Sequence, residues 1–186
     1  FLLAWRGRPV LAGLAAGAAT LVEYQAAAIV IALGAYLAFR GVRTLASFAA
    51  GAAPGIALLL AYNTIAFDAP WHFSYTYVSN GYVLAQAKGF FGVGAPKLFS
   101  TYEVFSGGAG LLVLSPVLTA AAVGLGLLAR RYTAEVAVCA AVTAFFLVLN
   151  CGYFLPYGGV SPGPRFVIPA LPFLAVGLGP AFARFP

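Results

Sequence analysis

The sequence predicts an all-α fold: a polytopic bundle of transmembrane helices with a short N-terminal helical hairpin and two outer loops. Three observations carry that prediction. The 186 residues are 63% hydrophobic and 8% charged, whereas a water-soluble domain is roughly 25% charged. The few charges divide the chain into uncharged runs near the length of about 20 residues that a helix needs to cross a bilayer. Finally, Arg6, Arg8, Arg40, Arg43, Arg130, Arg131 and Arg184 stand at the ends of those runs so that one topology puts all of them on the cytoplasmic side. Soluble enzyme classes are excluded by the first observation alone.

The net charge of +6 is a topology signal. Its basic residues sit singly or in pairs beside apolar runs, which is not the clustered footprint of a nucleic-acid surface, so no nucleic-acid partner is expected. Cys139 and Cys151 lie within or at the end of one apolar run and read as buried packing thiols. The chain holds no methionine and opens on Phe1-Leu2-Leu3-Ala4-Trp5. It therefore reads as a fragment of a longer polytopic protein, with the missing N-terminal part as a partner within the same chain.

In chain order, the apolar runs predict helices at about 9–22, 24–39, 44–66, 108–129, 134–152 and 167–183. The first two need a decision. As one helix, 9–39 would be about 46 Å long and would have to tilt near 50° across a core of about 30 Å, outside the usual range. It would also leave Glu23 near the bilayer centre at a cost of about 2.5–3.5 kcal/mol. A hairpin bent around Leu21 to Gln25 avoids both problems and puts Glu23 at its tip. The runs at 44–66 and 108–129 qualify directly as spans. Gly152, Pro156, Gly158, Gly159, Pro162 and Gly163 end the next span near 152. Pro169 and Pro172 kink the first turns of the last one.

Two outer loops follow, at about 67–107 and 152–166. The first opens with Asp68, Pro70, Trp71 and His72 and continues with Phe73, Tyr75 and Tyr77. Its rings form either an interfacial belt or a stacking wall for a sugar or a polyprenyl chain. Asp68 and His72 are one helical turn apart, so they either share a proton or part of a metal site, or Asp68 caps a surface helix with Pro70 in its first turn. Lys88, Lys97 and Glu103 read as solvated loop charges. In the second loop, Tyr157-Gly158-Gly159 precedes Arg165. That arginine either snorkels at the interface or offers planar donors to a phosphate, helped by the N–H groups of the helix that follows. Glu23, with Tyr24 and Gln25 beside it, is either functional, as near-membrane carboxylates commonly are, or paired structurally with an arginine. Gly13/Gly17 and Gly51/Gly55 have the spacing of close helix contacts.

Three stretches together resemble one family. Tyr62-Asn63 through Asp68-Ala69-Pro70 resembles the entry to the large outer loop of GT-C fold polytopic membrane glycosyltransferases of the dolichyl-phosphate-mannose-protein mannosyltransferase-like group. Gly110-Leu111-Leu112-Val113-Leu114-Ser115-Pro116-Val117-Leu118 is similar to that group's "GLL…SPVL" helix start. Gly159 through Leu174, reading GVSPGPRFVIPALPFL, is similar to its "GPRY-LLPALPFL" segment. The arginine that precedes "GLL" in the family is replaced here by Gly107-Gly108-Ala109.

The resemblance implies the C-terminal part of a multi-pass integral membrane protein, in contact with membrane lipid, that transfers a sugar from a polyprenyl-phosphate donor to an extracytoplasmic acceptor; the Ala, Gly and Arg bias of the composition points to a bacterial plasma (inner) membrane. The candidate substrate-binding residues are Arg165, Glu23, Tyr24, Asp68, His72 and Tyr157. The catalytic acid is expected upstream of Phe1, no cofactor is expected within these residues, and a divalent metal is compatible with the full-length protein. A transporter or flippase segment, or a non-catalytic membrane scaffold, are the competing expectations.

Overall fold

A computed structural model describes residues 1–77, 79 and 81–184. The described residues are helical, joined by turns and two isolated β-bridges. They form two compact units, Phe1–Tyr77 and Val78–Pro186.

In the first unit, α1 (Leu2–Trp5) leads into α2 (Pro9–Val22), which opens with Pro9 in its first turn, where a missing N–H costs nothing. The helix stops at Glu23, whose backbone is extended (φ −144°, ψ 119°). A 3-10 turn at Tyr24–Ala26 then starts α3 (Ala27–Ala38). The two arms run antiparallel, because Arg40, just past the end of α3, donates to the carbonyls of Ala4 and Trp5 at 3.4 and 3.3 Å. One continuous helix would hold those positions about 50 Å apart. Gly41, at φ 118°, turns the chain into α4 (Val42–Phe67).

α4 packs most closely on α2, and glycine makes that possible. A Cβ on Gly13 would lie 2.8 Å from Ala52 N, one on Gly51 2.9 Å from Val10 C, and one on Gly55 2.9 Å from Ala18 N. Without side chains at these positions the two backbones meet directly, gaining dispersion contacts where apolar solvent supplies no hydrophobic drive.

The second unit contains α5 (Val83–Gln86), α6 (Leu98–Ser106), α7 (Leu111–Leu114), α8 (Val117–Ala129) and α9 (Thr133–Gly152). The predicted single span at 108–129 is not one rod: the Leu98–Leu114 segment and α8 meet at a bend of 90°. The bend falls at Ser115 (φ −146°, ψ 67°), since a residue before proline is pushed out of the helical region, here by Pro116. Beyond α9, the segment Arg165–Arg184 is a composite. It consists of a 3-10 helix (Arg165–Ala170), α10 (Leu171–Leu174), a further 3-10 turn (Ala175–Gly177) and α11 (Leu178–Arg184). It begins at Arg165, two residues earlier than the predicted 167. Pro169 lies within the first 3-10 stretch, where its ring excludes regular α-helical bonding. Gly124 of α8 and Gly177 form a second close contact, with a Cβ on Gly177 falling 2.8 Å from Leu125 N.

Among the described residues three helical segments, Val42–Phe67, Thr133–Gly152 and Arg165–Arg184, are long and apolar enough to cross a membrane, and the bent pair makes four if it counts as one span. Only 22% of the most apolar stretch of α4 and 44% of that of α9 is buried. So much exposed apolar helix is a liability in water and ordinary in lipid.

Candidate functional site

In the first unit the helix break builds a cleft. Glu23 leaves helical geometry between α2 and the 3-10 turn, so its carboxylate stands at the tip of the hairpin, where the 3-10 turn at Ser74–Tyr77 reaches it. Tyr75 donates its hydroxyl hydrogen bond to Glu23 Oε1 at 3.1 Å and accepts one from Gln25 Nε2 at 3.3 Å. Tyr24 donates to Asn63 Oδ1 at 3.2 Å, and the fully buried Asn63 donates in turn to the Pro70 carbonyl at 3.1 Å. The Tyr24 ring meets Phe73 and Tyr75 edge-on, with centroids 4.9 and 5.8 Å apart. Glu23, Tyr24, Tyr62, Ser74 and Tyr75, with Leu21, Val22 and Leu59, line a cleft of about 390 Å³. Chemically this is a carboxylate and several hydroxyls set among aromatic edges, over an apolar floor. Gln25 Oε1 accepts from no described residue.

Asp68 and His72, read either as a pair or as a cap and its neighbour, share no hydrogen bond. Asp68 terminates α4 in the left-handed region (φ 63°, ψ 0°), a conformation that aspartate tolerates better than most residues. It is exposed, and no helix starts there, so it does not act as an N-cap either. His72 Nδ1 lies 2.7 Å from the Phe67 carbonyl and 3.1 Å from the Tyr77 hydroxyl, so the ring closes the turn after α4. The Phe67 and Tyr77 rings stack at 4.8 Å. Among the described residues no three His, Cys, Asp or Glu side chains come together as a metal site.

The second unit holds Tyr157 and Arg165. Asn150, fully buried near the end of α9, pins their loop: its amide donates to the Pro156 carbonyl, and its Oδ1 accepts from Phe166 N at 3.2 Å. Arg165 is exposed, with its guanidinium carbon 5.3 Å from the centroid of the Phe166 ring. The free N–H groups expected to assist it are already used. Arg165 N donates to Tyr157 O at 3.3 Å, Phe166 N to Asn150, and Val167 N to Pro164 O at 3.1 Å. The loop folds tightly enough to consume them, and the helix that opens there is 3-10.

Tyr157 donates its hydroxyl to Glu103 Oε2, so Glu103 is not a free loop charge. That hydrogen bond, and then burial, push the Tyr157 phenol above its ordinary value. Gly107 makes the pairing possible, because a Cβ there would sit 2.8 Å from the Tyr157 hydroxyl. Lys88 and Lys97 are exposed, as solvated loop charges are, and both also line a cleft. No local pattern marks these three residues. The pairing of Glu103 spans 54 positions, and the two lysines are brought together by a turn whose geometry rests on glycines.

Comparison with family models, with curated proteins and with solved structures finds no match.

Proposed function

We propose that the chain belongs to a multi-pass glycosyltransferase of the bacterial plasma membrane, similar to the GT-C group. It would transfer a sugar from a polyprenyl-phosphate donor to an acceptor outside the cytoplasm. The observation that carries this reading is the cleft at Glu23. A carboxylate held by Tyr75 accepts hydrogen bonds from sugar hydroxyls, and tyrosine rings supply the flat faces and edges against which the C–H side of a pyranose packs. Sugar binding is assigned to Glu23, Tyr24, Tyr62 and Tyr75. In the second unit, taken by itself, the exposed Arg165 is a candidate phosphate contact, since its guanidinium offers a planar set of donors to phosphate oxygens. Asp68 and His72 shape the turn after α4. Among the described residues no three His, Cys, Asp or Glu side chains come together, and no step here is routed through a metal.

The test uses the protein in lipid nanodiscs, titrated with polyprenyl-phosphate mannose and with polyprenyl phosphate lacking the sugar. Glu23→Gln and Tyr75→Phe should each weaken the sugar-bearing ligand by about tenfold, roughly 1.4 kcal/mol, and leave the bare phosphate unchanged. Arg165→Ala should weaken both. Equal loss of both ligands in Glu23→Gln would remove the cleft from sugar recognition.

One observation favours a second reading. The chain breaks at Glu23 and bends by 90° before Pro116, and discontinuous helices also build substrate sites in transporters. Under that reading, reconstituted vesicles move the lipid-linked sugar across the bilayer without consuming it. Under the first, the sugar leaves its phosphate.

A further inference from the structure

Lys88 and Lys97 are the two lysines of the sequence, every other basic side chain except His72 being arginine. Both are exposed at the mouth of one open cleft of about 260 Å³ in the second unit, walled by Gly89, Gly92, Gly94, Gly152 and Phe154. The segment between them is a tight turn. Phe90 N donates to Val93 O and Gly92 N to Lys88 O, both at 2.9 Å, with Gly89, Phe91 and Gly92 at φ +64°, +52° and +84°. Three backbone bonds tie the turn to the end of α9: Gly94 N to Gly152 O at 2.9 Å, Phe154 N to Gly92 O at 3.1 Å, and Lys97 N to Cys151 O at 3.4 Å. The cleft is therefore fixed by backbone. Glycine also keeps it in shape, since a Cβ on Gly92 would press to 2.7 Å on the Phe154 ring. None of the four acidic residues of the chain lines it. Gly152, in the wall of the cleft, ends a helix long enough and apolar enough to span a membrane.

We propose that this cleft binds a phosphate monoester. Such a group carries about −1.5 to −2 charges at pH 7, matching two ammonium groups. A phosphodiester carries one negative charge and leaves the pair half compensated. Lysine suits the task because its ammonium acts as a compact point charge with rotatable donors, free to follow a tetrahedral phosphate. The site requires neither Glu23 nor Arg165, so it stands or falls apart from the sugar-transfer reading.

Because the chain has only these two lysines, amine labelling reads the cleft directly. The protein in phosphatidylcholine nanodiscs is treated with an amine-reactive acetylating reagent, and modification of Lys88 and Lys97 is followed by peptide mass spectrometry. Additions are farnesyl phosphate, inorganic phosphate, phosphatidylglycerol, or sodium chloride at matched ionic strength. A phosphate monoester should protect both lysines together. Protection by farnesyl phosphate at lower concentration than inorganic phosphate identifies a lipid source, and the reverse order a free phosphate. Lys88→Gln should raise the concentration that half-protects Lys97 by about tenfold or more, the loss expected for one hydrogen bond between charged groups. The proposal is overturned if neither monoester protects, or if phosphatidylglycerol or sodium chloride protects as well as they do. It is also overturned if protection of Lys97 is unchanged in Lys88→Gln.

Discussion

Asn63 and Asn150 are both fully buried, and each bonds a proline carbonyl six or seven residues further on. Each thereby fixes a loop to the end of a helix. Replacing Asn150 with Leu would leave Phe166 N and Pro156 O without their partner, at about 1–3 kcal/mol for each buried group. A lower unfolding temperature in detergent, with faster proteolysis of residues 153–164, is the expected result, and Asn150→Asp should restore part of the loss through Phe166 N. The Tyr157 phenol makes a pH prediction. Its hydrogen bond to Glu103 raises the proton affinity of the folded state. The stability it contributes is therefore fully present below the ordinary phenol value of about 10 and is lost as pH rises through the raised folded value. Ultraviolet titration should find a late-ionising tyrosine signal that disappears in Tyr157→Phe. At this scale the sequence was partly legible. Glu23 stood out because a carboxylate inside an apolar run is costly anywhere but at a break. Glu103 did not, because a charge in a polar loop needs no partner until the fold supplies Tyr157.

Among elements, the α2–α4 contact depends on glycine at positions where a side chain would strike backbone, which has little room to yield. Gly17→Leu or Gly51→Leu should separate the helices and lower the unfolding temperature sharply. Gly126→Leu and Gly179→Leu, where a Cβ meets nothing within 4 Å, should cost little, so equal effects at all four sites would contradict the close-contact account. Apolar runs between charges located α4 and α9 to within two residues, because burial in lipid and the ends of a span are both written in local composition. The bend before Pro116 was missed, although Ser115-Pro116 carries a local signal. Pro54 shows why that signal alone does not decide. It lies inside α4 without ending it, where α2 is packed alongside at Gly51 and Gly55.

For the molecule as a whole, the arginine distribution implies one orientation in the membrane. In a background with Cys139 and Cys151, both buried and unpaired, replaced by alanine, Gly94→Cys and Val160→Cys should react with an impermeant maleimide added outside intact cells. Arg43→Cys should react only after permeabilisation, and the opposite pattern would reverse the topology. Val160 is fully exposed and makes a better reporter than Gly158, whose positive φ and contact with Arg165 leave no place for a side chain. Composition thus points to lipid as the solvent of the apolar helices, while the placement of the few polar groups points to where chemistry can occur. The central claim is that the cleft at Glu23 receives the sugar of a lipid-linked donor. Its most direct test is photocrosslinking in nanodiscs with a polyprenyl-phosphate hexose that carries a diazirine on the sugar. Adducts on the peptides holding Tyr24, Tyr62 and Tyr75, competed by unlabelled donor and lost in Glu23→Gln, are the predicted result. Competed adducts that fall elsewhere and persist in Glu23→Gln would contradict it.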